Sequence, residues 1–145
     1  MSDARSDAGF SLIELMVVLA IAAIIGAVAL PAYRDHMMRS RIPEATSGLL
    51  LTAMRLEQFY QDRRSYRDGA GCGADLPRSA FFDFRCEPAT DGQSFLLVAT
   101  GATGGAMDGF TYTLDQQGNA RTTTLPAAWG QAPRECWISR RGAGC

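Results

Sequence analysis

The chain has 145 residues, enough for one domain and a short apolar segment besides. Its 14 basic residues are all arginine against 15 acidic ones, and a net charge of −1 excludes any global attraction to nucleic acid or an anionic surface. Four cysteines, Cys72, Cys86, Cys136 and Cys145, lie in a Gly-rich second half, a pattern that fits disulfides in an oxidising compartment.

Residues 1–9 are short and polar, with Arg5 between Asp3 and Asp7, and make a poor positively charged start for a secretory signal. Residues 10–30 follow, a run of 21 in which Glu14 is the only ionisable side chain. As a helix this run reaches about 31 Å, the thickness of a bilayer core. It is longer than the apolar part of a cleaved signal peptide, although Ala27-Val28-Ala29 resembles a cleavage site. A carboxylate inside hydrocarbon is costly, so Glu14 calls for a partner. Orientation poses a conflict. Arg34, Arg39 and Arg41 after the segment place the remainder in the cytoplasm by the positive-inside rule, whereas the cysteines place it outside.

The run Gly9-Phe10-Ser11-Leu12-Ile13-Glu14-Leu15, after a polar leader and before an apolar helix, resembles the class III signal of type IV prepilins and pseudopilins. The resemblance implies cleavage after Gly9 by a prepilin peptidase, N-methylation of Phe10, an assembly role for Glu14, and a C-terminal part outside the inner membrane. Cleavage would leave a cationic amine on Phe10, which the Glu14 carboxylate of a neighbouring subunit can neutralise where either charge alone is costly.

Pro31 is expected to bend the helix and Pro43 to act as a second breaker. His36 has no companion at metal-ligand spacing and is read as solvated. Ile42, Ala45, Leu49, Ala53, Leu56 and Tyr60 recur at three- and four-residue steps, which predicts an amphipathic helix facing a sheet and ending near Asp62. The Gln- and aromatic-rich stretch Leu56-Glu57-Gln58-Phe59-Tyr60 before Tyr66 resembles the helix end of PilE-like minor pilins.

Residues 64–93 read as a loop rich in Gly, Asp, Pro and Arg. Strands are expected at 94–100, 110–115, 120–124 and 136–139, with a Gly-containing turn at Gln117-Gly118-Asn119. This is an α+β arrangement, a long N-terminal helix on an antiparallel sheet of about four strands, as the type IV pilin resemblance also implies. The division is a leader at 1–9, a helix at 10–62 whose part 10–30 serves the membrane and polymerisation, and a head at 63–145. Four cysteines allow three connectivities; the pairs nearest in sequence, Cys72 with Cys86 and Cys136 with Cys145, are the expectation. A zinc site lacks any C-x-x-C and has one histidine to draw on, so neither metal nor cofactor is expected.

No catalytic motif appears, and with His36 as the single histidine, beside the membrane, an enzyme is not expected. Residues 116–145 hold Arg121, Arg134, Arg140 and Arg141 against Glu135, an excess of three positive charges, with Trp129 and Trp137 nearby. Arg134, Arg140, Arg141 and Trp137 are therefore candidate DNA-binding residues, arginines for phosphates and an indole for a base, set against the plainer reading of a solvated loop with core tryptophans. Some pilins of DNA-uptake systems use basic residues near a C-terminal disulfide, and the resemblance keeps this possibility in view. The expected function is that of a structural subunit, a minor pilin of a type IV pilus, with a secretion pseudopilin or a competence pilin as alternatives. Its implied partners are other pilin subunits, the prepilin peptidase, the inner-membrane assembly platform and, in the DNA reading, DNA. Its implied location is the inner membrane with a periplasmic head, then the extracellular pilus.

Overall fold

The computed structural model describes residues 10–145 and divides into two units, one ending at His36 and the other Met37–Cys145. Helix α1, Leu12–Arg63, supplies the first unit and the opening of the second. Pro43 lies inside it and does not end it. Around that position Ser40 Oγ donates to the Met37 carbonyl at 2.8 Å and Ser47 Oγ to the Pro43 carbonyl at 2.5 Å, local side-chain to main-chain bonds within the helix. Pro31 also lies within the helical span.

In the second unit the apolar stripe meets a sheet. Ile42, Ala45, Gly48, Leu49, Thr52 and Leu56 are buried on one helix face, with Ala53 and Tyr60 half-buried beside them. After the helix, β1 (Arg67–Asp68) and β2 (Gly71–Cys72) form a small antiparallel ribbon. Strands β3 (Phe82–Pro88), β4 (Phe95–Gly101), β5 (Thr111–Asp115) and β6 (Ala120–Thr124) form a four-stranded antiparallel meander in that order. Its register sets Phe82 opposite Gly101, Leu97 opposite Leu114 and Ala99 opposite Tyr112, so Phe82, Leu97, Ala99, Tyr112 and Leu114 share the buried face. Met107, Phe110, Trp129 and Ile138 complete the core.

Two glycines sit at close approaches. A Cβ on Gly48 would lie 2.7 Å from Cζ of Phe84, so a larger residue there would oblige the phenyl ring to shift. At Gly101 a Cβ would collide with the main-chain carbonyl oxygen of Met107, which has no side-chain torsion to yield.

Two strand expectations are corrected. β3 lies in the stretch read as loop. Phe82, Phe84 and Cys86 alternate with exposed Asp83, Arg85 and Glu87, a strand period that charge, cysteine and Pro88 concealed. Residues 136–139 do not form a strand; main-chain pairing beyond β6 is limited to a bridge between Thr122 and Arg134. Their backbone groups bond to side chains instead, among them the hydroxyls of Thr122 and Tyr112. The sheet still has four strands, with β3 as the member that sequence patterning passed over.

Candidate functional site

The first region of interest is the amino end of α1. Gly9 falls outside the described residues. Phe10 precedes the helix and is 84% exposed, and Glu14 is an exposed carboxylate in the first turn, where negative charge suits the helix dipole. Leu12, Ile13, Met16, Leu19, Ile24 and Val28 are all more than half exposed. By length and composition the helix can cross a membrane, and its most apolar 18-residue window has none of its residues buried within the chain. Among the described residues, nothing covers this surface.

The second region is the C-terminal segment after β6. A 3-10 turn, Ala127–Trp129, buries Trp129 edge-on to Phe110 with ring centroids 4.9 Å apart. That indole is a core residue with no face available for a base. Trp137 is half-buried, and its indole N–H donates to the Thr113 carbonyl at 3.0 Å. Cysteine pairs join Cys72 to Cys86 and Cys136 to Cys145. The first ties β2 to β3 and the second closes the tail into a loop of nine-residue separation.

The arginines do not act as one group. Arg121 is in an ion pair with Glu135 at 2.6 Å, both largely exposed. It also lies close enough to Asp115 to help hold that carboxyl below the ordinary carboxylate range. Burial works against this shift, but hydrogen bonds from the Asn119 side chain and from the Asn119 and Gln117 amides outweigh it. Arg121 is therefore already compensated. Arg134, Arg140 and Arg141 are exposed, with Arg134 donating through Nε to the Gln131 carbonyl at 3.1 Å. The disulfide-closed loop thus holds Arg140, Arg141 and part of Trp137, Arg134 lies two residues before it, and Trp129 and Arg121 are occupied elsewhere.

Sequence patterning missed the residues that hold this segment in place. The Thr122 hydroxyl donates to the Cys136 carbonyl at 2.7 Å and accepts from the Ile138 amide at 2.9 Å, while the Tyr112 hydroxyl donates to the Ile138 carbonyl at 2.9 Å. Burial raises the Tyr112 hydroxyl well above its ordinary value, keeping it a donor. A Thr in the middle of a strand carries no pattern that announces such a role.

An exposed apolar helix half carrying one carboxylate, continued into a helix packed on a four-stranded meander, defines a type IV pilin. The N-terminal methylation motif of prokaryotic prepilins matches residues 4–30. A family model described as type IV minor pilin ComP, DNA uptake sequence receptor, matches residues 31–113, more than half of the chain, and the chain belongs to that family. A fimbrial protein of Moraxella nonliquefaciens is 40% identical over 71 residues, 49% of this chain and 46% of that one. Fimbrial protein EcpC of Eikenella corrodens is 41% identical over 66 residues, 45% of this chain and 43% of that one. The chain thus spans somewhat less than half the length of these two relatives. The non-core minor pilin PilV of Neisseria meningitidis shares the fold, with a TM-score of 0.53 at 20% identity over 68% of this chain and 94% of that one.

Proposed function

We propose that this chain is made as a prepilin and works as a minor structural subunit of a type IV pilus, without enzymatic activity of its own. A prepilin peptidase cuts after Gly9, Phe10 becomes the methylated first residue, and Glu14 pairs with the Phe10 amine of an adjacent subunit to set axial register. Until assembly the apolar half rests in the inner membrane with the head on the periplasmic side; the assembly platform then passes the subunit into the extracellular fibre. The observation that carries this reading is the apolar surface of residues 10–30, uncovered by the chain itself and bearing Glu14 as its one ionisable side chain. Once the leader is removed, an amine and a carboxylate in apolar surroundings stabilise one another far more than either could in water. Mass spectrometry of the purified protein tests the processing directly. The expected mass lacks residues 1–9 and carries one added methyl group; an intact N-terminus overturns the proposal.

A second role, reception of DNA on the head, is favoured by the description of the matched family, by exposed Arg140 and Arg141 within the disulfide-closed loop, and by exposed Arg134 just before it. The family match ends at residue 113, before all three arginines, so the assignment to these residues rests on charge and placement. Arginines would hold phosphates, and the accessible part of Trp137 would meet a base or sugar. Binding of duplex DNA that weakens steeply with added salt is the expected result; absence of binding at low salt removes this role and leaves the pilus role standing.

A further inference from the structure

The segment 134–138 lies along β6 almost without main-chain pairing and is held there by side chains: the Tyr112 hydroxyl on the Ile138 carbonyl, the Trp137 indole on the Thr113 carbonyl, and one buried residue that meets it at three alternate positions. Thr122, in the middle of β6, has no exposed surface. Its amide donates to the Arg134 carbonyl and its carbonyl accepts from the Arg134 amide, both at 2.9 Å. Its hydroxyl then reaches two and four residues further, donating to Cys136 O at 2.7 Å and accepting from Ile138 N at 2.9 Å. A hydroxyl is suited to this because it is donor and acceptor at once, and it meets one carbonyl and one amide that no strand partner satisfies. Residues 134, 136 and 138 are thereby pinned to one point, while Glu135 between them pairs with Arg121 on the exposed side. Cys136 is the first half of the closing disulfide, and Arg140 and Arg141 lie within the loop it closes.

We infer that the Thr122 hydroxyl is a positioning element of the C-terminal loop, setting where Arg140 and Arg141 stand for a polyanionic ligand, duplex DNA. The ligand half of this inference rests on the DNA role proposed above; the positioning half does not. Thr122 touches no ligand and acts only through Cys136 and Ile138. The disulfide limits how far the loop can open but cannot orient it, since it joins two points of the same tail; orientation comes from the sheet, through the Tyr112 and Trp137 bonds and through this hydroxyl, which alone meets both Cys136 and Ile138.

The test compares the full chain in detergent micelles as wild type, Thr122→Val and Thr122→Ser, with amide hydrogen exchange and salt-dependent binding of a duplex DNA as two separate readouts. Thr122→Val keeps the side-chain shape and loses the hydroxyl. Exchange at Ile138 and through residues 139–144 is expected to rise about tenfold, as the loss of its hydrogen bonds implies, with β4 and β5 still protected. DNA affinity should fall several-fold at an unchanged salt slope, since the same arginines still meet phosphate. Thr122→Ser should restore both. Unchanged exchange in Thr122→Val overturns the inference, as does equal loss of loop protection in Thr122→Ser, which would assign the effect to the methyl group. If Thr122→Val fails to fold, the serine variant alone decides, because it retains the hydroxyl and must retain loop protection. Wild-type protein that binds no DNA at low salt defeats the DNA role, and the exchange comparison still decides the positioning role.

Discussion

The two units of this chain are both rich in apolar residues and treat them in opposite ways. In residues 10–30 nearly every large apolar side chain is exposed, and among the described residues no element packs over them. In Met37–Cys145 the residues Ile42, Leu49, Leu56, Phe82, Tyr112 and Trp129 are almost fully covered by one another. The difference lies in partners, since one helix contributes to both. The head supplies its own sheet, two disulfides and a complete set of hydrogen bonds, with no buried side-chain polar atom unsatisfied among the described residues. The amino-terminal half has no such core among the described residues, and on the reading proposed above its apolar surface is completed only by lipid and by other subunits.

The largest effect expected from breaking this contrast is at Glu14. Glu14→Ala should leave membrane insertion intact, because the segment becomes more apolar, and reduce filament incorporation to near zero, read by comparing membrane and sheared-fibre fractions; normal incorporation would sink the register argument. The head should be indifferent to that change and sensitive to reduction. Replacing the Cys72–Cys86 or Cys136–Cys145 pair by serines should cost the head about 2 to 4 kcal/mol per pair in a denaturant melt, with membrane insertion unaffected.

Gly101→Ala should cost about 1 to 3 kcal/mol in the same melt, since its Cβ meets the carbonyl of Met107 and the backbone must shift. Gly26→Ala in the other half meets nothing and should leave stability unchanged or slightly raise it. Arg140→Ala/Arg141→Ala should leave folding untouched and lower the salt slope of DNA binding by about 2, measured by titration at several salt concentrations.

The smallest effect is on pH. Burial, with help from the neighbouring Glu57 carboxylate to which its hydroxyl donates at 2.7 Å, pushes Tyr66 up to about 12. An unfolded Tyr ionises near pH 10, about two units earlier, so the folded state is favoured fully below pH 10 and loses this contribution as pH rises from 10 through 12. Tyr66→Phe should lessen that alkaline decline without abolishing it, since burial raises the Tyr112 hydroxyl as well, measured as melting temperature against pH; an unchanged profile would show that Tyr66 contributes nothing to it.

Much of this architecture could be read directly from residue patterns. The apolar run, the solitary Glu14 and the stripe from Ile42 to Tyr60 needed only periodicity and length, and β4, β5 and β6 appear within a residue or two of their patterned positions. β3 was hidden because Asp83, Arg85, Glu87 and Pro88 outweigh the three buried-face residues in composition while obeying a two-residue period. Segment 136–139 misled for the opposite reason. Cys136-Trp137-Ile138 has the composition of a strand, but its backbone is satisfied by hydroxyls rather than a ladder. The plainer reading of core tryptophans holds for Trp129, buried edge-on to Phe110, while Trp137 is half-buried.

By itself, then, the order of residues determined that this protein has one apolar span with one charge in it, a helix that continues as an amphipathic stripe, and a β-rich head with an even number of cysteines. Those features are local, set by spacing along one chain segment, so they survive without knowledge of what lies opposite. Which strand closes the sheet edge, which arginine is already neutralised by Glu135, and how Thr122 pins the C-terminal loop were decided only in three dimensions, because each depends on groups far apart in sequence meeting within hydrogen-bond distance.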